Sequence, residues 1–286
     1  MNISKKSMRD VFLDTLLAEM TKNKNVIFVT ADFGSPVLDK IKDAYPERLI
    51  NVGIAEQNLI NVSTGLALEG YTVYAYAIAP FITMRCFEQI RVNLAILSQE
   101  RPMNVNLVGV GAGCSYVMSG PTHQCLEDIS IMRTLPNVEV LSPSDWVLAK
   151  SMVNYTINNR GIKYLRFDSN ILPNIYSEGV DLSRGFVELL TGKAICIVST
   201  GYMTHGALKV AQDFEKKNIN LGVIDIYRLD TMNTSAFIKA LMPYQFVISI
   251  EEGFINKGGL DSFILHLLNQ HNMKPKFKNL GFLDHY

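Results

Sequence analysis

A single acidic side chain lies where the sequence predicts that a buried strand ends and a helix begins. Residues 49–52 are largely apolar, Gly53 predicts a turn, and Glu56 falls in the first turn of the helix that follows. A carboxylate there can simply complement the positive end of the helix dipole. It can also act as an acid at a ligand site, because open α/β sheets bind ligands beyond the carboxyl ends of their strands. Spacing alone leaves both roles open and favours the structural one.

His123 and Arg166 are two further candidates for chemistry. His123 belongs to the loop GPTHQ at 120–124, ahead of a short predicted helix. Its imidazole could move protons on hydroxyl and carbonyl oxygens near neutral pH, although a loop histidine near a helix start can equally be exposed and idle. Arg166 ends a predicted strand, where its planar guanidinium could grip an oxyanion or simply be solvated.

The elements that must position these side chains form two α/β units. Strands alternate with helices up to residue 167, which predicts a doubly wound parallel sheet. Residues 168–185 lack periodicity and contain Pro173 and Gly179, so we interpret them as a linker. A smaller doubly wound unit follows. The predicted strands are 26–30, 49–52, 71–77, 105–110, 138–141, 162–167, 195–200, 220–226, 246–250 and 275–280, and the helices are 8–20 (capped by Ser7), 55–70, 83–98, 145–158 (capped by Ser144), 205–217, 235–242 and 259–270.

The composition is that of an ordinary globular protein. Among 286 residues, 27 Lys and Arg balance 27 Asp and Glu, so charge gives no support for binding nucleic acid or membranes. The amino terminus lacks a signal-like apolar run, and no stretch is long and apolar enough to span a bilayer. Four cysteines without a Cys-x-x-Cys pair indicate reduced thiols, and we expect a cytoplasmic protein: Cys86, Cys114, Cys125 and Cys196.

The segment around Glu56 resembles a known motif. NVGIAEQN at 51–58, followed by GLA at 65–67, is similar to the pyrimidine-binding segment of the transketolase family. Deoxyxylulose-phosphate synthase and the beta subunit of 2-oxoacid dehydrogenases share that segment. The resemblance implies that Glu56 hydrogen-bonds a ring nitrogen of thiamine diphosphate, an electron sink whose own imino nitrogen acts as the base. Apolar neighbours would help to keep the acid partly protonated: Ile54, Leu59 and Ile60.

A second motif concerns the cofactor's ring. PFITMR at 80–85, followed by FEQIR at 87–91, is similar to the transketolase segment whose aromatic side chain stacks on the aminopyrimidine. The resemblance implies Phe81, with its neighbour Ile82, as cofactor contacts. Apolar residues also recur here at helical spacing, so Phe81 can equally be part of the core. Arg85 is either a surface charge of the helix or a group that approaches the site.

Three more motifs carry implied roles at the substrate. In the family, the histidine of GPTHQ faces the reacting carbons, which implies His123. KYLR at 163–166 resembles the strand whose arginine grips a sugar phosphate, which implies Arg166. ADFGS at 31–35 resembles the first-strand loop, which implies Asp32 near the cofactor and Ser35 near the far end of the substrate.

The resemblance extends to the second unit and covers nearly the whole chain. IDIYRLD at 224–230, EEG at 251–253 and GGL at 258–260 look like the family's C-terminal domain. We therefore expect a thiamine diphosphate pyrimidine-binding domain over residues 1–175 and a transketolase C-terminal-like domain over 186–286. Glu251 and Glu252 are expected to be structural.

One family motif is missing, and it concerns the metal. The family binds the cofactor's diphosphate through Mg²⁺ or Ca²⁺ with a Gly-Asp-Gly motif and a later Asn, and this sequence has no such motif. The sequence also starts directly at the pyrimidine domain. We expect no metal ligands in this chain, a separate N-terminal transketolase subunit that carries the diphosphate-binding domain, and an α₂β₂ assembly with cofactor sites at the subunit interfaces.

Two departures from the family concern the substrate. Ser119 stands where typical transketolases have an acid, and Gly111 stands where they have a phosphate-contacting histidine. Both predict ketol transfer to or from a less usual sugar or sugar phosphate. Two alternatives remain: a deoxyxylulose-phosphate synthase-like or 2-oxoacid-decarboxylating subunit, which would release carbon dioxide from pyruvate, and a non-catalytic scaffold subunit.

Overall fold

A computed structural model describes residues 4–286 of the chain. Its strands are β1 (Lys5–Ser7), β2 (Val26–Thr30), β3 (Leu49–Asn51), β4 (Thr72–Ile78), β5 (Asn104–Val110), β6 (Val138–Leu141), β7 (Gly161–Phe167), β8 (Ile171–Pro173), β9 (Phe186–Leu190), β10 (Ile195–Ser199), β11 (Gly222–Ile226), β12 (Phe246–Phe254) and β13 (Lys276–Phe282). Its α-helices are α1 (Met8–Met20), α2 (Pro36–Ala44), α3 (Glu56–Leu68), α4 (Phe87–Gln89), α5 (Asp128–Met132), α6 (Trp146–Asn158), α7 (Met203–Glu215), α8 (Thr234–Leu241) and α9 (Leu260–Gln270).

The first unit is built on a six-stranded parallel sheet in the order β3-β2-β4-β5-β7-β6. Strands β2 and β5 are buried along their whole length, as expected when helices cover both faces of a parallel sheet. Successive side chains along a strand point to opposite faces of the sheet, and each face has its own apolar core. Phe28 and Tyr74 belong to one apolar cluster, while Val29 and Ala75 belong to the other.

The second unit has a five-stranded sheet in the order β13-β12-β10-β11-β9, in which β9 alone runs antiparallel. The prediction of two α/β units is confirmed. The antiparallel edge strand β9 was not predicted, because five residues without clear alternation give no signal of their own. Strand β8, inside the predicted linker, pairs with β1, so that segment is partly ordered by the amino-terminal end of the described chain.

Two helix predictions need correction. Helix α6 is capped by Asp145, whose carboxylate accepts from the Leu148 amide at 2.8 Å. Ser144, which was predicted as the cap, instead donates its hydroxyl to the buried Asp225 at 2.5 Å. The predicted regular helix over 83–98 is a helical segment with wide π turns at Phe81–Arg85 and Ile90–Ile96 on either side of α4.

Polar contacts join the two units. Arg133 donates to Asp230 at 2.8 Å, and Arg228 donates to Glu139 at 2.7 Å. The backbone amide of Ser142 donates to the carbonyl of Tyr227 at 2.9 Å. These contacts fix the second unit against β6 and the residues on either side of it. Within residues 4–286, no helix has both the length and the apolar character that a bilayer crossing requires.

Candidate active site

Glu56 begins helix α3 beyond the carboxyl end of β3, as the sequence predicts. Gly53 turns the chain with φ +75°, and Glu56 is only 4% exposed. Asn51 fixes this turn, because its side-chain oxygen accepts from the Gly53 amide at 2.9 Å and from the Asp32 amide at 3.0 Å. A buried carboxylate in the first turn of a helix needs donors beyond the helix dipole.

Arg85 supplies that donor. Its Nη1 donates to Oε2 of Glu56 at 2.7 Å, and its side chain is 47% exposed. The guanidinium carbon also lies 4.6 Å from the ring centroid of Phe81, within the range of a cation–π contact. The sequence left open whether Arg85 is a surface charge of the helix or a group that approaches the site. The structure shows that its guanidinium approaches Glu56 and Phe81.

Phe81 joins this pair to the histidine loop. Its ring is half-buried and lies 5.4 Å from the imidazole of His123, with the two planes at 65°. His123 Nδ1 lies 2.9 Å from the hydroxyl of Thr122. The other ring nitrogen, Nε2, does not take part in that contact. Glu56, Arg85, Phe81 and His123 therefore form one connected group, which we call the Glu56 cluster.

Parallel strands explain why these distant residues meet. Glu56 follows β3, Phe81 follows β4, and His123 lies in the connection after β5. The carboxyl ends of parallel strands share one edge of the sheet, so loops that follow them converge. The cluster combines a buried acid, an aromatic face and an imidazole, which suits the binding of a flat heterocycle next to a proton-transfer step.

Two apolar expectations need correction. Ile82 is fully buried in the core, so its side chain is not presented to a cofactor. It points inward because the wide turn places Phe81, and not its neighbour, at the surface of the site. Ile54 is 78% exposed and does not enclose Glu56, whereas Leu59 and Ile60 are fully buried as expected.

Arg166 is not placed to grip a sugar phosphate. It is 4% exposed, and its Nε donates to the buried Asp128 at 2.8 Å. Its Nη2 donates to the backbone carbonyl of Glu252, in the second unit, at 2.9 Å. The guanidinium is thus occupied by one carboxylate and one carbonyl, and Arg166 links the two units.

The β2 loop is only partly as expected. Asp32 is exposed, adopts φ +55°, and accepts from the side-chain amide of Asn51 at 3.0 Å, so it lies on the same sheet edge as the cluster. Ser35 is buried and caps α2 by accepting from the Val37 amide at 3.2 Å. In this structure its hydroxyl serves the helix and not a substrate.

Tyr116 lies against Gly111, a contact that sequence reasoning missed. A Cβ on Gly111, which adopts φ +91°, would lie 2.0 Å from Cε2 of Tyr116. The tyrosine ring therefore fills the space that a side chain at position 111 would need. Burial raises the pKa of Tyr116, the charge of Arg9 lowers it, and that of Asp168 raises it. Only the glycine at 111 signalled this feature in the sequence.

The cysteines give no sign of nucleophilic chemistry. All four are free thiols, and three of them are buried. Burial, together with the nearby charge of Glu56, raises the pKa of Cys86 to about 12. Burial also raises the pKa of Cys114, beside the histidine loop, and that of Cys125. Thiols with raised pKa values carry little thiolate at neutral pH.

Comparison with known proteins identifies the family. The model of the transketolase pyrimidine-binding domain matches residues 4–174, and that of the transketolase C-terminal domain matches residues 186–286. The chain belongs to the transketolase family. The predicted family and α/β fold class are thereby confirmed, and membership implies the use of thiamine diphosphate.

Two of the similar proteins are named as transketolase subunits, and a similar solved structure is a split-gene transketolase. An apulose-4-phosphate transketolase subunit of Actinobacillus succinogenes is 29% identical over 280 residues, which is 97% of this chain and 88% of that relative. The 6-deoxy-6-sulfo-D-fructose transketolase subunit SqwH of a Clostridium species is 27% identical over 97% of this chain and 85% of its own length. A split-gene transketolase solved as an inactive β₄ tetramer superposes with a TM-score of 0.88 at 28% identity, over 98% of this chain and 90% of that one.

Proposed function

We propose that this chain is the C-terminal subunit of a split transketolase, which transfers a two-carbon ketol unit between sugars with thiamine diphosphate. The observation that carries this proposal is the Glu56 cluster, in which a buried carboxylate, an aromatic ring and an imidazole meet at the carboxyl edge of a parallel sheet. The subunit relatives, matched over most of their length, support the split arrangement.

The residues of the cluster fit the pyrimidine half of the cofactor. Glu56 and Phe81 already contact one planar N–H donor, the guanidinium of Arg85. Glu56 accepts a hydrogen bond from one of its N–H groups, and its central carbon lies over the ring of Phe81. An aminopyrimidine that is protonated at the ring nitrogen facing the acid, as in its imino form, presents the same features, namely an N–H donor on its edge and a flat face. When bound, the cofactor supplies the electron sink that stabilises the transferred two-carbon unit.

Each side chain then has a defined task. Glu56 would hold the pyrimidine edge through a hydrogen bond to its carboxyl group, and the burial of Glu56 excludes water from that contact. Phe81 orients the ring by packing against it. His123 gives or takes protons at Nε2, facing the substrate oxygens, while Thr122 orients the imidazole through Nδ1. Asp32 lies near the cofactor on the neighbouring loop.

The diphosphate and its metal are proposed to lie on a partner. The chain has no Gly-Asp-Gly motif, and the relatives are named as subunits. We infer an N-terminal transketolase subunit that binds the diphosphate through Mg²⁺ or Ca²⁺, and an α₂β₂ assembly with sites at the interfaces. Exposed apolar side chains flank the cluster along the chain and suit such an interface: Ile54, Met84, Val117 and Met118.

The substrate is proposed to be a specialised sugar. Arg166 is occupied within the chain, and Tyr116 takes the space of the usual histidine at position 111. Two relatives are named for apulose 4-phosphate and for 6-deoxy-6-sulfo-D-fructose, both anionic sugars of unusual structure. Arg9 is a partly exposed cation that pairs with one carboxylate, that of Asp10, at 2.7 Å, and its charge lowers the pKa of Tyr76 and of Tyr116 against the effect of burial. We propose that Arg9 meets such an anionic end.

A donor and acceptor screen tests the proposal. The chain is co-purified with its partner and assayed with thiamine diphosphate, Mg²⁺ and a panel of phosphorylated and sulfonated ketoses. We expect ketol transfer with a specialised sugar that exceeds transfer from xylulose 5-phosphate to ribose 5-phosphate. Comparable turnover of that ordinary pair would contradict the substrate proposal, and carbon dioxide release from pyruvate would favour the oxoacid-decarboxylating alternative.

A further inference from the structure

Arg85 makes both of the contacts that the proposed function assigns to the cofactor's pyrimidine ring. Its Nη1 lies 2.7 Å from Oε2 of Glu56, and its guanidinium carbon lies 4.6 Å from the ring centroid of Phe81. A single planar side chain thus occupies the carboxylate and the aromatic face at once.

The chemical likeness is close. A guanidinium is planar, presents N–H donors in its plane to a carboxylate, and packs on aromatic faces. The pyrimidine ring, when it is protonated at the ring nitrogen that faces Glu56, offers an N–H donor in its own plane in the same way. We propose, resting on the function proposed above, that Arg85 occupies the pyrimidine place in the free subunit and competes with thiamine diphosphate until the guanidinium swings out.

The surroundings of Arg85 permit that movement. Its side chain is 47% exposed, and within residues 4–286 the carboxylate of Glu56 is the acceptor of its guanidinium hydrogen bond. Its backbone is held separately, because the side-chain amide of Gln57 donates to the Arg85 carbonyl at 3.3 Å. The guanidinium can therefore leave without moving the helical segment. The buried Arg166 differs, since it is 4% exposed and bonded to two elements.

The exchange keeps the buried acid paired. A carboxylate as buried as Glu56 is costly to leave without a donor. In the free subunit Arg85 fulfils that need, and in the loaded site the pyrimidine edge does so. Arg85 thereby protects the acid before assembly and lowers the apparent affinity for the cofactor, since only the fraction of molecules with the arginine displaced can bind it.

Titration of thiamine diphosphate into the assembled complex tests this competition by calorimetry in Mg²⁺. Arg85→Met keeps much of the side-chain length but removes the charge and the N–H donors. We expect this variant to bind thiamine diphosphate about tenfold more tightly than the wild-type complex, the scale of one exposed ion pair together with one cation–π contact. Arg91→Met is the matched control, because Arg91 lies on the same helical segment and pairs with the exposed Glu88 at 3.3 Å. It should bind the cofactor as the wild type does.

The outcomes separate this inference from the proposed function. Unchanged or weaker binding by the Arg85→Met complex would overturn the competition while leaving the function intact. A wild-type complex that does not bind thiamine diphosphate would defeat the function itself. If the Arg85→Met chain fails to assemble, Arg85→Lys is the second variant, because lysine keeps the charge and loses the planar face. The Arg85→Lys complex should bind thiamine diphosphate more tightly than the wild-type complex, but by less than about tenfold. A crystal structure of the loaded complex that retains the 2.7 Å contact between Arg85 and Glu56 would also overturn the proposal.

Discussion

At the scale of residues, Glu56 determines what the site can do. Its carboxylate is buried at a helix start, with an arginine against it and an aromatic ring beyond that arginine. The sequence alone favoured a helix-dipole role for an acid in that position. The structure adds a contact that supports the proposed ligand role, because a carboxylate that merely complements a dipole does not need a partner that also covers Phe81.

Replacing Glu56 by Gln tests that role. The amide keeps the shape of the side chain but cannot hold the proton in the same way, so we expect at least a ~10²-fold loss of kcat in the assembled enzyme. The control is Glu88→Gln, an exposed glutamate on α4. Steady-state kinetics with the preferred sugar would measure both. An unchanged rate in Glu56→Gln would favour a scaffold subunit.

Gly111 and Tyr116 form the second residue-scale feature. A histidine at position 111 would clash with the tyrosine ring and would also adopt the left-handed φ of +91°. We expect Gly111→His to lower the free energy of unfolding by about 2 kcal/mol or more. Gly34→His is the control, because a Cβ there meets no atom within 4 Å. Combining Gly111→His with Tyr116→Ala should recover the steric part of the loss, and chemical denaturation would show whether it does.

Motifs predicted the members of the cluster better than the contacts of each arginine. Glu56, Phe81 and His123 were predicted from segments that resemble family motifs, and the structure brings them together because these segments follow strands that share one sheet edge. The hydrogen-bond partners of Arg166 could not be predicted, because Asp128 and Glu252 lie 38 and 86 residues away along the chain. Pairing across such separations depends on how the two units pack, and periodicity carries no information about that.

At the scale of elements, regular alternation was easy to predict and irregular backbone was not. The strands of the parallel sheet are apolar runs buried on both faces, and they lie close to their predicted bounds. Helix α2 was not predicted. Three irregular features also escaped prediction: the pairing of β1 with β8, the antiparallel β9, and the wide turns within residues 81–96. Each depends on backbone hydrogen bonds that side-chain patterns do not encode.

Strand β12 carries two carboxyls that make stability depend on pH. Burial raises the pKa of Glu251 and of Glu252 to about 7 in the folded chain, from an ordinary value near 4.5. A carboxyl whose pKa is raised on folding stabilises the fold while it is protonated, and that contribution is lost as pH rises through the folded value. Stability should therefore fall as the pH rises from about 4.5, the ordinary value, through about 7, and the range from pH 6.5 to pH 8 covers the end of this fall.

Glu251→Gln should flatten this pH dependence by about 1 kcal/mol or less, since the amide does not titrate. Thermal or denaturant unfolding across that range would measure the change. Glu47→Gln, at an exposed position, should keep the wild-type slope. A wild-type stability that rises from pH 6.5 to pH 8 would contradict the raised pKa values of Glu251 and Glu252. It would also argue against the structural role that we expect for these two residues.

At the scale of the whole molecule, the proposed function makes this chain one half of a shared site. The cluster lies at the surface, Arg85 is half-exposed over it, and apolar side chains beside its members are open to solvent. Family membership implies thiamine diphosphate, while the sequence has no motif for the diphosphate and its metal. These observations are consistent if the remaining half belongs to another polypeptide, as the subunit names of the relatives indicate for those proteins.

The most direct test compares thiamine diphosphate binding by the chain alone and by the chain with its partner, using calorimetry in Mg²⁺ under one set of conditions. We expect the assembled complex to bind the cofactor tightly and the isolated chain to bind it at least ~10³-fold more weakly, since the diphosphate contacts are missing. Tight binding by the isolated chain, or no binding by the complex, would contradict the central claim that two polypeptides share this site.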